Sequence, residues 1–446
     1  MRELALGLSH GSPLHEADAR ATIGILVNGT GKYKEAEQEL RTALELQRAF
    51  LDEGHVDVAH TRAALATNLF RQGKVDEAEA EERGVLEARI AAMGTNHPAV
   101  ASAYLNLGVY LHGRGKLDEA EAALVAGVAS IDAATEKAHP TRARLFASLA
   151  ALAHMRGDFE QSETQTRAAL AVQIEILGPE DPGVATTRSN LAMILRQRGK
   201  LQEAEAEFLA TLQLRTKALG PRHPDVARSH HNLGGFYQER QRFEDSERHF
   251  RAALAINLEA LRADHPTTAS AHMTLAGLLS LRGDMAGAEA EYRSAIAIRE
   301  RELGPDDAEV ANATDGLART LQKQGRHNDA QAAFRSALRI REAKHGPDDP
   351  RLVLALLGLG DSLRDSGHRA EGVKVLRRAA RIIDTPGAKP RRRAKALFAL
   401  ARAIWADPAN RDEAREVAER AAGIYRELGD AGVEQVRLVE AWLAEH

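Results

Sequence analysis

The sequence predicts an all-α solenoid, in which one helix-turn-helix unit is stacked about ten times. Three series of residues, each spaced by 42 positions, support this prediction. The first is a glycine series: Gly31, Gly73, Gly115, Gly157, Gly199, Gly283, Gly325 and Gly367. The second is a histidine and aspartate series: His55, His97, His139, Asp181, His223, His265, Asp307 and Asp349. The third is an alanine series: Ala36, Ala78, Ala120, Ala204, Ala288 and Ala330. A fixed period of this length is typical of chains that repeat one supersecondary unit, and only Gln241 interrupts the glycine series.

The composition fits a helical protein and excludes several functional classes. Of the 446 residues, 28% are charged and 44% are hydrophobic, and the net charge is −4. These values argue against a disordered chain and against nucleic acid as a partner. Cysteine is absent, so the chain has no disulfide, thiol nucleophile or thiolate metal site. Because neither a secretory signal nor a long apolar run is evident, we expect a cytoplasmic protein without a membrane partner.

The unit at 181–222 shows how each repeat is expected to fold. Asp181 and the proline after it open the first helix, because aspartate accepts hydrogen bonds from free helix N–H groups and proline suits a first turn. Apolar residues at helical spacing over 186–198 give this helix one buried face. Gly199 is expected to end it in the left-handed conformation. A second helix over 201–219 follows, and the small side chain of Ala204 is expected to let the two helices approach closely.

These residues together resemble a known family. The order Leu-Ala/Gly, Leu/Tyr, Gly-Lys, Glu-Ala, Phe/Tyr and Ala-Leu is similar to that of the tetratricopeptide repeat (TPR). The long second helix, the Leu-Gly-Pro stop and the His-Pro start resemble the 42-residue variety of kinesin light chains. The Asn-Leu-Ala/Gly element of that variety is matched by Asn106-Leu107-Gly108, Asn190-Leu191-Ala192 and Asn232-Leu233-Gly234. The resemblance covers roughly residues 13–425 and implies a right-handed superhelix of antiparallel helix pairs.

Three segments are expected along the chain. Residues 1–12 resemble the end of a preceding repeat's second helix. Residues 13–429 are expected to form the TPR solenoid, whose last repeat is irregular after a loop near 385–390. Residues 430–446 are expected to form a capping helix, because an uncapped solenoid end exposes its core. The apolar stripe of this helix consists of Val433, Val436, Val439, Trp442 and Leu443.

No combination of residues in the sequence points to catalysis. The segment Gly29-Thr30-Gly31-Lys32 lacks the earlier glycine and the following Ser or Thr of a phosphate loop, so it is interpreted as repeat punctuation. Four histidines precede a helix-opening proline and are interpreted as helix start signals rather than metal ligands. No catalytic triad or metal set is found. We therefore predict a chain that is not an enzyme and that binds no cofactor, metal or small-molecule substrate.

The family resemblance also implies where a partner would bind, because the first helices line the concave groove. Counted from the residue that opens each unit, the groove positions are 6, 9, 13, 16 and 17. They carry these candidate binding residues: His60, Arg71, His112, Arg144, His154, Arg196, Arg228 and His231. The asparagines of the Asn-Leu element have two possible roles, gripping a peptide backbone or tying neighbouring repeats together. These are Asn106, Asn190 and Asn232.

The favoured function is a non-catalytic scaffold or adaptor that binds an extended or helical peptide in this groove. Arginine outnumbers acid at the groove positions, so the expected partner is a protein or peptide with acidic residues. In particular, Arg144, Arg196 and Arg228 are expected to project from successive first helices onto one wall. The alternative is the regulatory, partner-sensing region of a larger signalling protein, such as a kinase or an NTPase, with its catalytic domain upstream. That alternative depends on the half-started repeat at 1–12.

Overall fold

The computed structural model describes residues 12–134, 138–261, 263–385 and 388–446. Every regular element in these ranges is helical, and none of the four ranges contains a β-strand. The predicted all-α solenoid of helix pairs is therefore confirmed. The chain divides into two compact units, with the boundary between Leu219 and Gly220. The predicted partial helix at 1–12 lies, apart from Ser12, outside the described residues.

The helices form consecutive first-and-second pairs in each unit. The described residues of the first unit form α1 (Pro13–Gly29), α2 (Tyr33–Arg48), α3 (Val56–Arg71), α4 (Val75–Met93), α5 (Pro98–Gly113), α6 (Leu117–Ala133), α7 (Pro140–Met155), α8 (Phe159–Leu177), α9 (Val184–Gln197) and α10 (Leu201–Leu219). Those of the second unit form α11 (Pro224–Glu239), α12 (Phe243–Ala260), α13 (Pro266–Arg282), α14 (Met285–Leu303), α15 (Ala308–Lys323), α16 (His327–His345), α17 (Val353–Asp365), α18 (Arg369–Ile383), α19 (Pro390–Ile404), α20 (Arg411–Glu427) and α21 (Val433–Glu445).

The histidine and aspartate series marks the start of the first helices. Nδ1 of His97 accepts a hydrogen bond of 3.1 Å from the backbone N–H of Ala99, and Oδ1 of Asp307 accepts one of 2.8 Å from Glu309. The equivalent bond forms at His55, His139, Asp181, His223, His265 and Asp349. Each side chain satisfies an N–H group that has no partner within its helix. The prediction that the four histidines before proline are helix start signals is confirmed. At Asp181 and Asp349 the α-helix itself begins later, at Val184 and Val353.

Gly199 and Gln241 occupy the same place in successive repeats, in the turn between the two helices. The backbone φ is 73° at Gly199 and 58° at Gln241, so both residues are in the left-handed region. Glycine adopts this region without a steric penalty, whereas a side chain with a Cβ atom is strained there. Gln241 is the one non-glycine residue with a positive φ in the described ranges. The turn therefore keeps its shape at this repeat despite an unfavourable residue.

Replacing Gln241 with Gly should stabilise the protein. The left-handed conformation costs a non-glycine residue about 1–2 kcal/mol, and the greater freedom of glycine in the unfolded chain removes part of that gain. We expect the free energy of unfolding to rise by about 1 kcal/mol, measured by urea unfolding followed by circular dichroism. The reverse change, Gly199→Gln, should lower it. Equal midpoints for the wild type and both variants would contradict the strain argument.

The alanines of the 42-residue series are fully buried, at a place where the two helices of a pair are in contact. Ala204 on α10 is 0% exposed. Serine takes this place in two other repeats, and its hydroxyl reaches the first helix of the same pair. Ser162 Oγ donates to the backbone oxygen of Ala150 at 2.9 Å, and Ser246 Oγ to that of Gly234 at 2.8 Å. Because an atom one bond beyond Cβ already contacts the neighbouring backbone, the predicted close approach is confirmed.

A buried carboxylate on the second helix connects each of several repeats to the next one. The side chain of Glu163 on α8 is 6% exposed, and its oxygens lie 2.7 Å from Arg198 Nη1 and 2.9 Å from Lys200 Nζ. Lys200 belongs to the Gly-Lys turn of the following repeat. Equivalent ion pairs form at Glu37, Glu79 and Glu289. We call these four residues the turn-binding glutamates; they fix the position of one helix pair against the next.

The Glu163→Gln substitution should destabilise the protein near neutral pH. Burial alone would raise the pKa of Glu163, but hydrogen bonds from Lys200, Arg167 and Arg198 outweigh it and lower the pKa from 4.5 to about 2. Because the folded-state pKa is below the unfolded-state pKa, this carboxylate stabilises the fold above pH 4.5, and its contribution is lost as the pH falls from about 4.5 to about 2. We expect Glu163→Gln to lower the free energy of unfolding at pH 7 by about 2 kcal/mol. This is less than the pKa shift alone implies, because Arg167 and Lys200 are each more than a third exposed and water screens their charges.

Urea unfolding at a series of pH values measures this effect. The wild type should lose more stability than Glu163→Gln between pH 4.5 and pH 2. Glu175→Gln, at an exposed position of the same helix, is the control and should follow the wild type. Parallel pH profiles for all three proteins would show that Glu163 is not the stabilising group.

Helix α21 packs against the last repeat through most of its predicted apolar stripe. Val439 is 0% exposed, and the ring of Trp442 lies 5.5 Å from that of Trp405. Val436 and Leu443 also pack against the core of the second unit. The prediction was wrong for Val433, which is 44% exposed because it is the first residue of the helix after the short 3-10 turn Gly429–Gly432. The capping role of residues 430–446 stays a prediction.

Candidate functional site

The α1–α5 hollow lies between the first helices of three successive repeats of the first unit. Its volume is about 360 Å³, and the residues that line it include His60, Arg71, Asn106, Asn28 and Thr67. Three of the predicted binding residues are therefore brought together. Arg71 is exposed, and the one hydrogen bond of its side chain within the described ranges is a long one of 3.5 Å to the backbone oxygen of Asn28. This guanidinium is available to a carboxylate.

Asn106 connects the α1–α5 hollow to a buried acid that the sequence analysis missed. Its Nδ2 donates to Oε1 of Glu82 at 3.3 Å, and Glu82 belongs to the preceding repeat and is 0% exposed. Burial raises the pKa of Glu82 to about 7, against the opposing effects of the Asn106 hydrogen bond and the charge of Arg89. Oε2 of Glu82 has no hydrogen-bond partner among the described residues. Asn106 thus ties neighbouring repeats together, which was one of its two predicted roles.

The 42-residue period contains a signal that could have revealed Glu82. The other repeats carry residues without charge at its position, most of them large and apolar: Leu40, Leu124, Thr166, Phe208, Phe250, Tyr292, Phe334 and Leu376. An acid in that series departs from the core pattern, and buried acids are rare unless they have a partner or a function. Thr166 is a second departure, because it is much smaller than most of its counterparts.

The α7–α9 hollow lies next to Thr166 and is mainly apolar. Its volume is about 340 Å³, and its lining includes Thr166, Met155, Met193, His154 and Asn190. Met155 is 59% and Met193 42% exposed. The predicted residues His154 and Asn190 therefore lie at the edge of an apolar cavity. Because thioether side chains adapt to varied shapes, this hollow suits an apolar side chain of a partner.

The three predicted asparagines differ in their environments. Asn190 is exposed, and its side chain makes no hydrogen bond to any described residue. Asn106 is held by Glu82, as described above, and Asn232 is half-buried and has a partner of its own. The amide of Asn190 is therefore free to donate to and accept from a peptide backbone, whereas Asn106 has a structural contact.

His112 lies between the two larger hollows of the first unit. It lines a small hollow of about 80 Å³ between α5 and α7, and its Nε2 is 2.9 Å from the sulfur of Met155. His154 packs instead against Phe159, with 5.3 Å between the ring centroids. These histidines shape the first-helix surface, and each is engaged with a neighbour within the first unit.

The α11–α13 hollow is the corresponding feature of the second unit. Its volume is about 410 Å³, and it is lined by the predicted residues Arg228 and His231 together with Asp225 and Asn257. Arg228 pairs with Asp225 at 3.0 Å. Burial lowers the pKa of His231, so its ring is uncharged near neutral pH.

The three arginines expected on one wall have different surroundings. Arg144 on α7 is exposed and has no ion pair or hydrogen bond to a described residue. Arg196 on α9 is half-buried and has a contact of its own, and Arg228 is paired within the second unit. Of the predicted wall, Arg144 is the residue whose guanidinium is unoccupied.

The described ranges contain neither a helix that could span a membrane nor a cluster that could hold a metal ion. None of their helices combines the length and apolar character that crossing a bilayer requires. In the same ranges, no three His, Cys, Asp or Glu side chains are grouped so that they could hold a metal ion.

Helix pairs that recur every 42 residues, with hollows between their first helices, define an α-solenoid repeat protein. The tetratricopeptide repeat family model matches residues 16–89, 65–129, 141–209, 184–259, 225–301, 267–343 and 310–385. The chain therefore belongs to the tetratricopeptide repeat family, and the predicted family is confirmed. Proteins of this family generally act as protein-interaction scaffolds, and the fold is typically non-catalytic.

Three solved structures are similar to this chain. A Podosopora anserina protein assigned to the kinesin light chains, with nearly identical TPR-like repeats, is 23% identical, with a TM-score of 0.43 over 47% of this chain and 99% of that one. BtubC (BKLC) from P. vanneervenii is 22% identical, with a TM-score of 0.43 over 59% and 93%. The apo form of RapI is 15% identical, with a TM-score of 0.56 over 82% and 96%, and supports the fold. No curated protein matches the sequence.

Proposed function

We propose that this chain is a non-catalytic scaffold that binds a peptide with acidic residues along the first helices of its repeats. The observation that carries the proposal is that most of the predicted binding residues line hollows between first helices. The residues found in hollows are His60, Arg71, Asn106, His112, His154, Asn190, Arg228 and His231. Within the first unit, the successive small hollows suit the side chains of a peptide better than a single compact substrate.

The preference for acidic residues rests on the first unit. Arg71 and Arg144 are both exposed, and neither forms an ion pair within the described ranges. Each guanidinium can offer two parallel N–H donors to one carboxylate, an arrangement that lysine cannot reproduce. Because these cations are not neutralised by the protein itself, a carboxylate brought near them gains Coulomb energy without displacing an existing pair.

The α7–α9 hollow supplies a second determinant. An apolar side chain placed there would cover Met155 and Met193, while Asn190 bonds the adjacent peptide backbone. Burial of apolar surface contributes affinity, and a few such anchors commonly dominate binding energy. The proposed ligand is therefore a segment in which acidic residues flank an apolar one.

A peptide array tests this proposal. The array should contain sequences of equal length and apolar content that are acidic, neutral or basic, and it is probed with the full chain. We expect the acidic set to bind, with signal falling as salt rises past physiological strength because exposed charges are screened. The double variant Arg71→Glu/Arg144→Glu should lose this binding.

The control is Arg301→Glu/Arg437→Glu, which changes the net charge equally at exposed positions of α14 and α21. It should bind like the wild type. Preference for basic peptides, or equal losses in both double variants, would exclude the first-helix surface as an acid-binding site. Circular dichroism should show unchanged helicity in all the proteins, because each of the four arginines is exposed.

A further inference from the structure

An arginine near the end of the second helix, buried at Arg299 and half-buried at Arg89, recurs in four of the repeats. Nη1 of Arg89 donates to the backbone oxygen of Ala99 at 2.8 Å, and Nη1 of Arg299 donates to that of Glu309, also at 2.8 Å. Both carbonyl groups belong to the third residue of the following repeat. Arg215 and Arg341 stand at the same place in two other repeats, whereas four further repeats carry an uncharged residue there: Gln47, Ile131, Gln173 and Ile383. The solenoid therefore has a recurrent guanidinium position beneath the start of a first helix.

Asn257 occupies this place in the repeat that begins at His223. The side chain of asparagine is much shorter than that of arginine, so Asn257 does not take the place of the guanidinium. Asn257 is 4% exposed, and its Oδ1 is buried without a hydrogen-bond partner among the described residues. A buried amide oxygen without a donor is unfavourable, which makes a bound donor at this place favourable.

The α11–α13 hollow lies where the missing guanidinium would be. Its lining includes Asn257 and Thr267, and Thr267 is the third residue of the next repeat, equivalent to Ala99 and Glu309. With a volume of about 410 Å³, this cavity is the largest of the hollows described above. It lies next to Asn257, whose side chain is shorter than the arginine of the adjacent repeats.

The charges around this hollow tolerate a cation. Asp225 and Arg228 form an ion pair at 3.0 Å and largely offset one another. His231 is uncharged near neutral pH because burial lowers its pKa. Ser270 and Thr267 add hydroxyl groups to the lining. The hollow therefore presents oxygen acceptors and little net positive charge to an entering side chain.

We propose that the α11–α13 hollow binds the guanidinium of an arginine in the partner peptide. The incoming N–H groups would donate to Asn257 Oδ1 and to the backbone oxygen of Thr267, in place of the arginine that other repeats supply from within. The inference rests on the proposed function, since it names a residue of the peptide that lies along the first helices.

Calorimetric titration of the full chain with N-acetyl-arginine methylamide tests the inference. We expect saturable binding in the millimolar range, and at least tenfold weaker binding of the citrulline analogue, which has the same length but no charge. Asn257→Arg fills the hollow from within, as in the neighbouring repeats, and should weaken arginine binding at least tenfold. Asn257→Leu removes the acceptor without filling the hollow and should weaken it similarly. The matched control is Asn328→Arg, the same change at an exposed position of α16, which should leave binding unaltered.

Three results would each overturn the proposal: no saturable binding by the wild type, equal binding of arginine and citrulline analogues, or unaltered binding in both Asn257 variants. Should Asn257→Arg fail to fold, the binding of the arginine probe by Asn257→Leu tests the proposal alone. The probe carries no carboxylate side chain, and the acidic-peptide test concerns Arg71 and Arg144 of the other unit. Failure of the arginine site and failure of the acidic-peptide function are therefore distinguishable.

Discussion

Replacing Ala204 with Trp is expected to lower the free energy of unfolding by about 3 kcal/mol, at the upper end of the usual cost of overpacking. Ala204 is 0% exposed on α10, at a place where the two helices of a pair are in contact. In the equivalent place, Ser162 Oγ already lies 2.9 Å from the backbone of the first helix. An indole ring cannot fit into this space, so the helices must separate or the side chain must leave its rotamer.

The measurement is urea unfolding of the full chain followed by the helical circular dichroism signal. Leu209→Trp places the same ring on the same helix at a position that is 43% exposed, and it should unfold with the wild type. If Ala204→Trp also unfolds at the same urea concentration as the wild type, the two helices are not closely packed at residue 204. If both variants are destabilised equally, the cost belongs to the indole ring and not to its position.

Removing Val433–His446 is expected to make the chain self-associate. The deletion takes away Val439, which is fully buried, and Trp442, whose ring contacts those of Phe398 and Trp405. The uncovered surface includes apolar core residues of the last repeat, and contiguous apolar patches on a soluble protein promote association. Light scattering coupled to size-exclusion chromatography should show a mass above that of the monomer.

Two point substitutions separate the effect of the cap from the effect of chain length. Val439→Asp places a charge at a buried position and should release α21, giving the same association as the deletion. Leu438→Asp changes the neighbouring residue, which is 58% exposed, and should behave as the full chain does. A deletion variant with the same mass and solubility as the parent would mean that α21 does not protect the core.

The fold could be predicted from the sequence because each residue type that recurs every 42 positions acts on the backbone close to it. Asp307 caps a helix through a backbone N–H two residues away, and Gly199 allows a left-handed turn, so both are recognisable within a few residues. The function of Lys200 was not recognisable in this way, because its partner Glu163 lies in the preceding repeat. Pairs at such separations become visible only when equivalent positions of successive repeats are compared.

The candidate site was predictable in position but not in the state of its side chains. Arg71 and Asn106 lie in one hollow as members of the expected surface, yet Arg71 has no ion pair within the described ranges and Asn106 is bound to Glu82. Position within the repeat predicts which surface a residue faces, whereas pairing depends on residues of neighbouring helices. Glu82 and Asn257 were missed because they fall outside the groove positions, although Glu82 departs from the uncharged residues of the other repeats and Asn257 from the arginines of the repeats on either side of it.

The turn-binding glutamates also bear on how such a chain lengthens. Each of them contacts the turn of the adjacent repeat, so these junctions within a unit are made by the same residues in the same relative places. Consider a duplication of one module, the 42 residues from one glycine of the series to the next. The inserted repeat would form the same ion pair between a glutamate and the following turn at both of its ends. Gain or loss of whole modules is therefore compatible with the junction chemistry, whereas an insertion of any other length separates a glutamate from its lysine or arginine. At these four junctions, the chemistry that aligns neighbouring helix pairs thus favours changes of length by whole modules.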